Sequence, residues 1–213
     1  MADRFGAGSQ AAAAVHYTLL VELWAARVHP AAAPFWRRVV TGLHASCQRQ
    51  LWEGFRNEPR DHVRVLDPAR PLLAFGGPPQ EPPPDLRRAV LDTDALSAVP
   101  AGEHVIYVVD EDERLVVRPV PVPVKDLFFP ARHADRTRVT HPMLVPGRPV
   151  LAAGELCLVG TDRVERVLVN TRSGHFMPPA HSLDAVTRVC RRLFDLPDHD
   201  VLGLSIAPVT VPA

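Results

Sequence analysis

Val150-Leu151-Ala152-Ala153-Gly154-Glu155-Leu156-Cys157-Leu158-Val159, a turn at Gly160-Thr161-Asp162, and Val164-Glu165-Arg166-Val167-Leu168-Val169-Asn170 decide the fold of this chain. Two apolar runs of strand length around a polar, glycine-containing turn read as an antiparallel hairpin. With the turn centred near 161 to 162, residue 155 is expected opposite about 168 and residue 150 opposite about 173.

Working outward, a second apolar pair lies upstream. His104-Val105-Ile106-Tyr107-Val108-Val109 and Leu115-Val116-Val117 flank the acidic turn Asp110-Glu111-Asp112-Glu113. That turn lacks the glycine and terminal glutamate of a calcium loop, so its acids are expected to be solvated. Downstream, the outgoing strand delivers Asn170-Thr171-Arg172-Ser173-Gly174-His175-Phe176, and Ser182 is placed to cap a helix with Leu183, Val186, Val189, Cys190 and Leu193 inward. Residues 201–211 read as a last strand. Residues 103–213 are therefore expected to form an α+β domain of antiparallel hairpins with a packed helix.

The N-terminal part differs. Ser9 is expected to cap a helix with Tyr17, Leu20, Val21, Trp24 and Val28 in one stripe, ended by His29-Pro30. A second helix from Pro34 carries Trp36, Val40, Leu43, Cys47, Leu51 and Phe55, so residues 1–56 read as a helical hairpin. Arg37, Arg38, Arg49 and Arg56 fit either a basic amphipathic helix or a solvated face over a tryptophan-anchored core. Prolines then accumulate to Gly76-Gly77-Pro78-Pro79-Gln80-Glu81-Pro82-Pro83-Pro84. Residues 57–102 accordingly read as a linker or wrapping arm, with short helical turns over 85–89 and 93–99. A polyproline docking segment is the alternative.

Bulk properties exclude more than they assign. The 213 residues carry 24 basic and 24 acidic side chains, so no net field draws the chain to nucleic acid or an anionic membrane. His16, Glu22 and Arg27 interrupt the apolar run over 11–28, against a membrane span, and the cationic start of a secretory signal is missing. Cys47, Cys157 and Cys190 are widely spaced, which fits reduced, buried thiols in a cytoplasmic protein. No phosphate-binding glycine loop or metal-ligand spacing is present, so the motifs name no cofactor and no metal site. A small molecule or a protein partner remains.

The residues able to do chemistry gather in the second half. His175 and His141 are candidate acid/base groups, since an imidazole titrates near ~6.5. Ser173 is a candidate nucleophile, although Ser-Gly-His lacks the strand-turn-helix elbow that activates a serine. Asn170, Arg172 and Phe176 are candidate binding residues, and Glu155 a candidate orienting group. Glu155 lies several residues from His175 along the expected ladder, so a direct pair needs a bulge or a bent loop. Each histidine has a structural alternative, an imidazole bonded to backbone at a turn.

The segment from His141-Pro142-Met143-Leu144 through Ala152-Ala153-Gly154-Glu155 to Ser173-Gly174-His175-Phe176 resembles a C-terminal module of bacterial polymorphic-toxin-like proteins and plant IQ-motif calmodulin-binding proteins. The resemblance covers about residues 104 to 196. It implies a shared site and names no reaction. Phe176 stands where that module has tyrosine, which removes a hydroxyl, and Pro142-Met143 stand where it has small polar residues. The N-terminal helices hold no IQ pattern, so calmodulin is not implied. Two readings follow: an effector-like domain with a histidine-centred pocket and hydrolase or transferase chemistry, or a non-catalytic protein-interaction module in which the Ser-Gly-His turn is structural.

Overall fold

The computed structural model describes residues 10–25, 38–46 apart from 40 and 44, 63–67, 72–123 apart from 79, and 139–205. The expected α+β class holds. Helix α1 (Gln10–Ala25) is followed by strands β1 (Val63–Asp67), β2 (Leu72–Phe75) and β3 (Ala89–Val90), the short helix α2 (Ala95–Ala98), β4 (His104–Asp110) and β5 (Leu115–Val117). Helical turn α3 (His141–Leu144), β6 (Val150–Gly160), β7 (Val164–Asn170), α4 (Ser182–Phe194), a 3-10 turn (Asp198–Asp200) and β8 (Val201–Leu204) complete the order.

One eight-stranded mixed sheet organises these elements, and the long strand β6 is its centre. β4 runs antiparallel along one edge of β6, from His104 opposite Cys157 to Asp110 opposite Val150. The other edge is shared: β7 pairs with its C-terminal half, and β2 meets it at Val150. Near Gly154 the sheet therefore opens into two branches, and residues leaving β7 cross over that opening.

Side-chain alternation sorts the core onto the two faces. Val105, Tyr107, Val109, Leu156, Val167 and Val169 face α4, where Ala185, Val186, Val189 and Cys190 cover them. Cys157, Leu168 and Leu204 face the other way and receive Tyr17 and Leu20 of α1. Beside them Ile106, Val108, Val150, Ala153, Leu144, Val145 and Phe176 form a third cluster. Tyr17 and Leu20 are fully buried, each contributing about 1.5–3 kcal/mol.

Several expectations change. Three strands come from residues 57–102, where a linker or arm was expected; helix α2 falls within the helical turn expected over 93–99, whereas 85–89 is not helical and leads into β3. Val63-Arg64-Val65-Leu66-Asp67 and Leu72-Leu73-Ala74-Phe75 pair as β1 and β2 despite nearby prolines, because the prolines fall between the strands and not within them. Ser182 does not cap α4. His181 holds the cap position, while the Ser182 hydroxyl donates to the Pro179 carbonyl at 2.8 Å. β8 pairs with β7 in parallel, and α4, a helix of 13 residues, supplies the crossover that a parallel pair needs. The second N-terminal helix is described only in part: residues described between 38 and 46 are helical, and His16 Nδ1 meets Ser46 Oγ at 2.9 Å. The remainder of that expected helix, and residues 206–211 of the expected last strand, lie outside the described residues.

The acidic tip between β4 and β5 is not left to solvent. The buried Asp110 carboxylate accepts the Asp112 and Arg114 amides and pairs with the Arg114 guanidinium at 2.8 Å. Arg148 pairs with Glu111 and Asp112, and Glu113 binds Arg188 and Arg192 of α4. Those arginines hold the Glu113 carboxyl below its ordinary value.

Candidate functional site

The crossover at Gly154 brings Asn170, Arg172, Glu155 and His141 together. A Cβ on Gly154 would lie 1.9 Å from the Asn170 carbonyl oxygen and 3.1 Å from the Arg172 amide nitrogen. Only glycine lets the chain leaving β7 pass this close, which is the physical content of Ala-Ala-Gly-Glu.

Asn170 fastens that crossing. Its Oδ1 accepts the Glu155 amide at 3.0 Å and the Arg172 amide at 2.9 Å. With Oδ1 so occupied, Nδ2 points to the Tyr17 hydroxyl of α1 at 3.3 Å, and the Tyr17 hydroxyl lies 2.9 Å from His104 Nε2. From the opposite face the Tyr107 hydroxyl donates to the Asn170 carbonyl at 2.9 Å. Burial holds the Tyr107 hydroxyl well above its ordinary pKa, with Cys190 and Glu155 adding to the effect. Asn170 thus joins α1, β4, β6 and the following turn.

Leu156 pairs with Val169, which brings Glu155 beside Asn170, two residues away from the expected partner at 168. The difference arises at the turn, where a register shift between Val159 and Gly160 lets Gly160 face Val164. Glu155 is buried and its carboxylate pairs with Arg172 at 3.2 Å, the side chains being 3% and 12% exposed. Its demonstrated side-chain partner is therefore Arg172, from the strand exit.

The Ser-Gly-His turn closes on itself. Ser173 Oγ accepts the Phe176 amide at 3.3 Å, and the Ser173 carbonyl accepts the Met177 amide at 2.8 Å. Ser173 and Phe176 are each 1% exposed, and Met177 adopts a positive φ of 41° that turns the chain toward Pro178. Phe176 is a core residue, packed with Leu144 and Val145 of the His141 segment. Its ring fills an apolar cluster, which explains how phenylalanine is accommodated there.

His141 and His175 approach this cluster differently. His141 is buried and its Nε2 lies 3.0 Å from the Gly154 carbonyl. A carbonyl only accepts, so Nε2 carries the proton and the ring is a backbone anchor at the crossover. His175 is half-buried, with its ring edge-on to Phe75 of β2 at 5.4 Å between centroids. Both segments meet through the apolar cluster of Phe176, Leu144 and Val145.

Sequence reasoning missed Tyr17 and His104. Tyr17 reads as one more member of an apolar stripe, and His104 as the first residue of an apolar strand. Their pairing depends on α1 lying over the β4–β6 ladder, a contact 87 residues apart in sequence. Burial lowers His104 from 6.5 to about 4, so it is neutral near pH 7. Cys157, opposite His104, is raised to about 12 by burial, with Glu103 and Glu22 adding to the effect. It is therefore a core thiol.

Elsewhere, a cleft of about 310 Å³ lies between the β6–β7 turn and the end of α4, lined by Val159, Arg163, Val164, Phe194, Leu196 and Asp200 among others. It sits at the start of β7, at the other end of the strand from Ser173. Among the described residues no His, Cys, Asp and Glu side chains cluster as a metal site, and no helix is long and apolar enough to cross a membrane. No family model, curated protein or solved structure matches the chain.

Proposed function

We propose that this chain is a non-catalytic, cytoplasmic protein-interaction module in which the Ser-Gly-His turn is structural. The observation that carries this reading is the Ser173 hydroxyl, buried to 1% and already accepting the Phe176 amide. A nucleophile needs an adjacent base and an open face, and Ser173 lies in a closed turn. Asn170, Glu155, Arg172 and His141 are likewise engaged with backbone or with one another. Among the described residues a surface open to a partner is the proline-rich stretch 76–84, where Pro78, Glu81 and Pro84 are exposed.

A second reading, a histidine-centred effector pocket with hydrolase or transferase chemistry, is favoured by one observation: His175 keeps a half-buried ring on a hydrogen-bonded turn. Two variants separate the readings. Cross-linking mass spectrometry of the full chain in its native host should identify a partner that is retained by His175→Ala and lost when Pro82, Pro83 and Pro84 are replaced together by alanine. A partner or turnover lost on His175→Ala, with unchanged thermal stability, establishes the second reading instead.

A further inference from the structure

One end of the sheet is formed by β3. It lies outside β5, with Ala89 opposite Val117 and Val90 opposite Val116. Backbone direction alternates along this ladder. The Leu91 amide donates to the Leu115 carbonyl at 2.9 Å, so Leu91 and Ala89 bond inward to β5. The intervening residues of β5 bond to β4 instead, and just beyond them the Arg118 amide donates to the Ile106 carbonyl. The Val90 amide and carbonyl therefore point to the open edge, and the alternation carried one step each way aims those of Arg88 and Asp92 outward as well.

Side chains follow the same alternation. Leu91 and Ala89 pack into the cluster under α4, whereas Arg88, Val90 and Asp92 are exposed. Val90 is 57% exposed, although it is a large apolar side chain. Arg88 Nη1 donates to the Leu144 carbonyl at 3.3 Å, and Asp92 Oδ1 accepts the Asp94 amide at 2.9 Å. Among the described residues neither charge has an ion-pair partner.

Open sheet edges are protected by charged side chains, most often lysine, and a repeated sign repels a second copy. Here the two charges differ in sign and stand two residues either side of Val90. An antiparallel copy related by a twofold axis at Val90 sets Val90 against Val90 and Arg88 against Asp92 on both sides. Outward backbone groups then meet outward backbone groups. A slip of one residue opposes outward groups to inward ones, and a slip of two separates both charge pairs.

We propose that β3 is a dimerisation edge, pairing antiparallel with β3 of a second copy about a twofold axis at Val90 and joining the two sheets into one. The interface is isologous, and the occupant that fits it is this chain itself. The contact is short, so the dimer is weak and concentration-dependent, with a Kd of about 10–100 μM.

Sedimentation equilibrium of the full chain measures this association. Val90→Lys sets like charges against each other at the axis and should weaken dimerisation by about 10-fold or more, with an unchanged Tm because the side chain is exposed. Arg88→Asp turns both attractive pairs into repulsive ones and should weaken it by about 10-fold; adding Asp92→Arg exchanges the signs and should restore most of the loss. Cross-linking reads the register without any charge change. Val90→Cys places two thiols across the axis at a Cα separation of about 5.5 Å, within disulfide reach, so an oxidised dimer should form. Thr93→Cys, displaced along the strand, should give none above the parent chain. The proposal is overturned if the chain stays monomeric to about 1 mM, well above the expected Kd. It is equally overturned if Val90→Lys dimerises like the parent, if the exchanged charges restore nothing, or if Thr93→Cys cross-links as readily as Val90→Cys.

Discussion

Replacing Asn170 by alanine removes the residue on which the crossover depends. The variant leaves the Glu155 and Arg172 amides without their acceptor and takes a donor from the Tyr17 hydroxyl. Each buried amide left without an acceptor costs about 1–3 kcal/mol, and the lost bond to Tyr17 adds about 1 kcal/mol. Water entering the gap recovers part of this, so Asn170→Ala is expected to destabilise the fold by about 3–5 kcal/mol. That is a large share of the ~5–15 kcal/mol typical of a domain. Equilibrium urea unfolding followed by far-ultraviolet circular dichroism gives the number, with the slope against denaturant checking that the transition keeps its cooperativity. Asn170→Asp sharpens the test, since a carboxylate still accepts both amides while losing the donor to Tyr17 and facing Glu155. It should be less destabilised than alanine, and should recover further as the new carboxylate is protonated. If Asn170→Ala stays within about 1 kcal/mol of the parent with an unchanged slope, the crossover is held by something else.

Other substitutions probe separate parts of the account. Gly154→Ala drives a methyl into the Asn170 carbonyl, held from four directions, and should cost about 3 kcal/mol or more by thermal unfolding; a Tm like the parent's contradicts the close approach. Phe176→Tyr puts a hydroxyl into an apolar cluster and should lose about 1–3 kcal/mol, whereas a gain in stability means a polar partner lies within reach. Glu113→Gln weakens the link between the β4–β5 turn and α4. Because Arg188 and Arg192 are largely exposed, the loss should stay below about 1 kcal/mol and shrink in high salt; a larger, salt-insensitive loss refutes the solvent-screened assignment.

Local patterns in the sequence reach some of these features and not others. The β6–β7 and β4–β5 pairs are legible because each is an apolar run closed by a short polar turn, and α4 because its inward residues recur at helical spacing. The strands β1 and β2 are not, since their weak apolar runs are submerged in a proline-rich composition that points to a linker. The one-residue bulge at Gly160 and a turn centred on Asp162 together move the register by two residues from the expected one and set Glu155 beside Asn170. The roles at the site are set by tertiary contacts: Tyr17 meets His104 and Asn170 only once α1 lies on the sheet, and Ser173 is occupied only because Phe176 is drawn into the core. A polar motif at a turn looks the same in sequence whether its groups point outward to a ligand or inward to amides.

The structural role of the turn rests most directly on the Ser173 hydroxyl, and Ser173→Ala under equilibrium denaturation tests it. Loss of the only side-chain acceptor described for the buried Phe176 amide predicts a destabilisation of about 1–3 kcal/mol with an unchanged denaturant slope. Parental stability in Ser173→Ala, accompanied by loss of binding or turnover, contradicts the account and returns the hydroxyl to a functional site.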